Sequence, residues 1–254
     1  MRVGCAGWSL GSTDRDRFGL GDSLLQRYAT RLELSEINSS FYRPHKPATY
    51  ERWAARVPSG FRFTAKVPKA ITHDARLRGT GVLLDRFIDE VSALGRTFGG
   101  LVVQLAPSHA LEPRVADTFF AMLRRRTRVP VGCEPRHASW YGDAAARISE
   151  RHAIHRIAAD PPRPADAIEP AGAGPVRYWR LHGSPRIYWS GYDDDALQAF
   201  AARVHAWAAA WHDCDVILDN TAGGRAFSDA LRLRELIEEL ARGAKRPARG
   251  RKSP

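Results

Sequence analysis

Short apolar runs alternate with stretches of helical periodicity along almost the whole of this 254-residue chain. Such alternation commits the strands to run parallel, because each must be followed by a crossover that returns the chain to the same edge. About eight strands can be read, at 2–8, 32–38, 61–67, 101–106, 131–137, 153–160, 177–183 and 215–221. Helical patterns separate them. In 82–98, closed by Gly99-Gly100, the residues Leu83, Phe87, Val91 and Leu94 share a face, and 193–211 and 227–240 are similar. Ser23 or Asp22 is placed to cap a helix through Tyr28, and Ser139 one that runs to about residue 151. Only 161–175, after the sixth strand, lacks a helical period. The pattern predicts an α/β fold, a single (β/α)8 TIM-type barrel over 1–240 whose helix after strand six is missing or irregular. An open doubly wound sheet fits less well, since no Gly-x-Gly-x-x-Gly turn follows the first strand.

Side chains alternate between the two faces of a strand. Assigning each apolar face to the helices leaves an inward set: Trp8, Glu36, Asn38, Thr64, Lys66, Val102, Gln104, Glu134, Arg136, Arg156, Asp160, Arg180, His182 and Asn220. The set turns polar toward each strand's C-terminal end, where barrels of this type keep their active sites. Polar groups converging on a barrel interior are costly unless paired or used, so a functional pocket is expected at that end. Counting Glu36, Glu134, Asp160 and Asp219 against Lys66, Arg136, Arg156 and Arg180 leaves the rim close to neutral.

The whole chain is strongly basic, with a formal charge of +11, but residues 241–254 carry six of those charges and no acid, leaving +5 for the body. That tail is expected to be disordered. A hydrophobic fraction of 44% suffices for a core, while no run approaches the ~20 apolar residues of a membrane span and no secretory signal is read, so a cytoplasmic protein is expected. Cys5, Cys133 and Cys214 are too scattered for a disulfide framework or a zinc site and read as buried thiols, with Cys133 the outside candidate for a nucleophile.

Several ordered motifs resemble the YecE-like family, domain of unknown function 72. They are Leu34-Ser35-Glu36-Ile37-Asn38-Ser39-Ser40-Phe41-Tyr42, Phe63-Thr64-Ala65-Lys66 and Ile71-Thr72-His73, followed by Val103-Gln104-Leu105-Ala106-Pro107, Glu134-Pro135-Arg136-His137-Ala138-Ser139-Trp140 and Arg180-Leu181-His182-Gly183. The resemblance covers nearly everything but the tail. It implies a TIM-type barrel and no particular activity. The chain departs from the pattern at Pro135, where the family tends to an aromatic, and at Asp219-Asn220, where it usually has two asparagines. A proline there removes a ladder donor, so strand five should end or bulge at that point.

Glu36, Glu134, His182 and Lys66 are the candidate catalytic residues. A carboxylate in a partly closed mouth can have its pKa raised toward neutrality, and an imidazole can shuttle protons. A desolvated lysine can form a Schiff base. Trp8, Asn38, Tyr42, His73, Gln104, Arg136, His137, Asp160, Arg180 and Asn220 are the candidate substrate-binding residues, with Arg136 and Arg180 suited to clamp a carboxylate or phosphate. No metal ligand set stands out and no cofactor is expected. The function expected is therefore a cofactor-free hydrolase, lyase or isomerase acting on a small polar, sugar-like or anionic molecule. The alternatives are a nucleic-acid-binding protein or a metal-dependent phosphodiesterase like the abasic-site barrel nucleases, and a noncatalytic small-ligand binder. No membrane partner is expected, and the sequence leaves the oligomeric state open.

Overall fold

Parallel pairing runs from β1 (Arg2–Ala6) through β2 (Leu34–Ile37), β3 (Arg62–Lys66), β4 (Phe98–Gln104) and β5 (Val131–Glu134) to β6 (Ile154–Arg156). A two-residue strand, β8 (Ala171–Gly172), adds antiparallel to β6. In the other direction β1 pairs with β10 (Asp213–Leu218), β10 with β9 (Val176–Leu181), and β9 with β7 (Ala158–Asp160). β6 and β7 are two halves of one stave, separated only by Ile157; the first half bonds to β5 and the second to β9. The sheet is thereby drawn into a nearly closed barrel of eight staves. These statements concern residues 1–210 and 213–244, which the computed structural model describes.

The expected strands are present and most are shorter, while β4 begins earlier than expected. β5 stops at Glu134 because Pro135 has no N–H to continue the ladder. Gly99 and Gly100 lie inside β4 rather than ending a helix, and a Cβ on Gly100 would fall 2.9 Å from the carbonyl oxygen of Pro130. The preceding helix is correspondingly short (Gly81–Ser92), and it buries Leu84, Phe87, Ile88 and Val91 while Leu83 is exposed. Of two adjacent leucines, periodicity took the wrong one. The helix expected from Ser139 starts instead at Asp143, after a one-turn segment (Ala138–Tyr141) capped by His137. Ser23 does cap its helix, accepting from the amide of Gln26. After the sixth stave there is only a helical turn (Ala165–Ile168) and β8. The last helix (Ala226–Ala244) runs four residues into the stretch assigned to the tail; 245–254 lie outside the described residues.

Two apolar cores result. The larger fills the space between sheet and helices. The smaller, Leu34, Val102, Ile157, Val176, Tyr178 and Ile217, plugs the barrel interior. Gly132 makes that plug possible: a Cβ there would meet His155 Nε2 at 2.4 Å. The His155 ring lies across Tyr178, and burial lowers its pKa to about 3, so it is neutral filler. All three cysteines are buried thiols, and burial beside Glu134 pushes the Cys133 thiol up, away from nucleophilic use. Among the described residues no helix is long and apolar enough to cross a membrane.

Candidate active site

Six of the eight staves change character on their inner face at one level. Leu34 is followed two residues later by Glu36, Val102 by Gln104, Gly132 by Glu134, Tyr178 by Arg180, Ile217 by Asp219, and Thr64 by Lys66. Because the side-chain period is two, this substitution converts an apolar plug into a polar layer at the C-terminal mouth.

Arg180 is the centre of that layer and is fully buried. Its Nε and Nη2 donate to the two oxygens of Glu36 at 3.1 and 2.8 Å, its Nη1 donates to Glu134, and Nη2 also reaches Asp219 Oδ2 at 2.8 Å. The outer edges are satisfied as well. Gln104 Nε2 and Arg136 Nε donate to Glu134 Oε1 at 3.0 and 2.9 Å, and Asn38 Nδ2 donates to Asp219 Oδ1 at 3.3 Å. The Tyr178 hydroxyl donates to Glu36. Since a phenol has one proton to give, the Thr64 hydroxyl, 2.9 Å away, must donate to it. Tyr188, in the loop after β9, extends its hydroxyl to Arg136 and sets its ring edge-on to His182.

The electrostatic consequences are one-sided for the acids. Burial alone would raise the Glu134 and Asp219 carboxyls, but Arg180 and the imidazole of His182 hold both below the usual carboxylate range. Glu134 is therefore a fixed anion rather than the proton carrier with a raised pKa that the sequence suggested. Glu36 has both oxygens occupied by Arg180. The carboxylates hold the frame.

Two groups are not consumed by it. His182 is 3% exposed; its Nδ1 donates to Asp219 Oδ2 at 3.1 Å, while Nε2 lies 3.3 Å from Glu134 Oε1 without forming a hydrogen bond. Burial lowers the imidazole's pKa, but Glu134 and Asp219 outweigh that and raise it above the ordinary value. Lys66 is 5% exposed, and its ammonium has no hydrogen bond or carboxylate within 4.0 Å among the described residues. It rests 4.2 Å above the ring of Phe41. Burial and the neighbouring charge of Arg180 bring its pKa down to about 8, against the pull of Glu36, Asp219 and Glu134.

Of the sequence candidates, Glu36, Asn38, Lys66, Gln104, Glu134, Arg136, Arg180 and His182 thus converge. His73 stands at the edge, its ring set against Phe41 and its Nδ1 2.9 Å from the Thr72 hydroxyl. Tyr42 is exposed beside Phe41. Four candidates point elsewhere. Trp8 packs on Trp53 and Phe63 outside the barrel, because Gly7 at φ 97° breaks the alternation of β1. His137 caps the turn at Ser139. Asp160 accepts from the Tyr192 hydroxyl, and burial raises its carboxyl. Asn220 donates to the carbonyl of Ser190 and to Asp229.

The sixth stave runs in the opposite phase to the one expected: His155 and Ile157 face in, whereas Arg156 stacks on Tyr141 outside. Strand eight was also shifted, so Asp219 occupies the place given to Asn220. The outward pair Val216 and Leu218 was the available signal. Since Arg156 and Asp160 carry opposite charges, their departure leaves the mouth balanced, with Glu36, Glu134 and Asp219 against Lys66, Arg136 and Arg180. Tyr188 had no periodic signal, being in a loop. Among the described residues there is no group of three or more His, Cys, Asp or Glu side chains that could hold a metal.

A family model described as "Protein of unknown function DUF72" matches residues 2–252. The UPF0759 protein YecE of Escherichia coli K12 is 27% identical over 138 residues, 54% of this chain and 50% of that protein. That match therefore spans about half the length of the curated relative. A DUF72 family protein from Enterococcus faecalis V583 superposes at TM-score 0.78, covering 93% of this chain and 95% of the other. One from Thermotoga maritima MSB8 superposes at 0.76, covering 93% and 98%. Both are 19% identical to this chain, so the likeness bears on the fold.

Proposed function

We propose, for a chain that belongs to the DUF72 family of proteins of unknown function, that its barrel mouth binds a small anionic molecule and moves a proton on it. The observation that carries this reading is the ammonium of Lys66, held without an acid partner beside a network in which Arg136, Arg180 and His182 already pair with Glu36, Glu134 and Asp219. Burying a charge without a counter-ion is expensive, and an anionic ligand would supply one. Arg136, a quarter exposed and held by Glu134 and Tyr188, is placed to present a second cation. His182 has a buried Nε2 with no hydrogen-bond partner and a pKa raised above the usual imidazole value. It is the group suited to give and recover a proton near neutral pH. Glu36, Glu134 and Asp219 keep Arg180 and His182 in position.

The ligand class follows from charge. With His182 protonated, Arg136, Arg180 and His182 balance Glu36, Glu134 and Asp219, so the charge of Lys66 is the surplus that one anionic group on a small polar body neutralises, whereas a polyanion finds no further positive charge there. Nucleic-acid binding would draw on the basic residues near the C-terminus instead. The reading is tested by screening small carboxylates and phosphomonoesters for turnover with the wild type, Lys66→Met and His182→Asn. Turnover lost in both variants is expected. Turnover retained in both would refute the assignment, and saturable binding without turnover would make the protein a ligand binder.

A further inference from the structure

Lys66 differs from the other cations of the mouth in its surroundings as well as its partners. It leaves the last position of β3, all but buried. The backbone around it is fixed by Ser40, whose hydroxyl donates to the carbonyl of Lys66 at 2.7 Å and ties the short helix Ser39–Tyr42 to β3. That helix delivers Phe41 under the nitrogen. The charged groups that act on the nitrogen are Arg180 from β9, Glu36 from β2, Glu134 from β5, Asp219 after β10 and, from the turn Ala70–Asp74, His73. The three acids all bond to Arg180, so no carboxylate pins the lysine nitrogen.

From this geometry we infer that Lys66 is a nucleophile that condenses with the carbonyl group of a small anionic aldehyde or ketone. The inference rests on the anion-binding reading above and names the substrate class of the same site. A lysine becomes nucleophilic when it is desolvated or placed next to another cation, and Lys66 meets both conditions. Its lowered pKa, about 8, leaves a usable fraction of free amine near neutral pH.

The step balances with groups already in the mouth. The neutral amine of Lys66 attacks the carbonyl carbon, forming a C–N bond as the C=O π electrons move to oxygen. His182, charged, gives its proton to that oxygen. The neutral His182 then takes a proton from the nitrogen and returns it to the carbinolamine oxygen, which leaves as water, so that a protonated imine remains and His182 is neutral again. His182, now neutral, can accept the proton of a carbon adjacent to the imine, which the iminium acidifies. Arg136 is free to hold the substrate's anionic group, since Lys66 is engaged at the carbonyl.

The test uses the full chain with glyoxylate or pyruvate and sodium cyanoborohydride, followed by intact-mass measurement and peptide mapping. Peptide mapping separates the five lysines, Lys46, Lys66, Lys69, Lys245 and Lys252, from one another and from the amino group of Met1. One reduced adduct per chain, on Lys66 and absent in Lys66→Arg, is expected. Lactate, an anion of similar shape without the carbonyl, is run in parallel for binding by thermal shift. Lactate binding with no adduct on Lys66 would overturn the imine while leaving anion binding intact. Adducts spread evenly over the lysines would overturn it too, and failure of all three acids to bind or react would count against both readings.

Discussion

Arg180 grips Glu36 at two points across the barrel, Nη2 to Oε1 at 2.8 Å and Nε to Oε2 at 3.1 Å, with neither side chain exposed to solvent. The same guanidinium serves Glu134 and Asp219. Removing it would leave three buried carboxylates without their shared cation, a change of the kind that costs about 3–5 kcal/mol. Arg180→Leu should therefore lower unfolding free energy in urea by at least that much or prevent folding. Arg180→Lys keeps the charge but loses the fork, and should fall between. A loss under about 1 kcal/mol for the leucine variant would mean the network is not what holds the mouth together.

The pH profile of stability follows from the directions of the shifts. Glu134 and Asp219 titrate below their ordinary values of 4.5 and 3.8, so their contribution is complete above those values and is lost as pH falls through the folded ones. His182 titrates above 6.5, so its contribution is complete below that pH and is lost as pH rises through its folded value. Thermal melts of wild type and His182→Asn should thus differ most in mild acid and converge on the alkaline side. A difference that grows with rising pH would contradict the assignment.

Lys66 is held at a cost in stability. Between its folded value of about 8 and the ordinary 10.5 the unfolded chain binds the extra proton, so stability rises with pH across that window, and below it the full cost of burial is felt. Lys66→Met should therefore stabilise the protein at pH 7, by roughly 1–3 kcal/mol, with the gain vanishing toward pH 10.5. Denaturant titrations at pH 7 and 10 check this. A variant less stable than wild type at pH 7 would show that the ammonium has a partner.

Asn220 separates frame from site. Its amide donates to the carbonyl of Ser190 and to Asp229 Oδ2, tying the loop after β9 to the last helix. Asn220→Ala should cost about 1–3 kcal/mol in denaturation, as for a buried hydrogen-bonded group, and leave anion affinity unchanged.

Much of this was legible because a barrel repeats one rule eight times. On strands where every second residue is strongly apolar, such as Phe61-Phe63-Ala65 and Trp179-Leu181, alternation identified Thr64, Lys66, Arg180 and His182 as inward-facing. It failed where that contrast is weak. In the sixth stave Ile154 and Ile157 sit on opposite faces, and the stave changes neighbours between them, so no single apolar face exists to be read. In β1 the turn at Gly7 releases Trp8 from the strand's alternation. Pairings were beyond the sequence altogether: that Arg180 takes three acids and Lys66 none is set by which staves face each other across the closed barrel.

The most direct test of the anion-binding mouth is a thermal-shift titration of wild type and Lys66→Met with small monoanions and dianions, lactate, malonate and phosphoglycolate among them. A ligand at 100 times its Kd stabilises by about 2.7 kcal/mol, which for a chain of this size raises Tm by roughly 5–10 °C. The account predicts a saturable rise of that order for at least one anion with the wild type and little or none with Lys66→Met. Equal shifts in the two proteins, or none in the wild type, would contradict it.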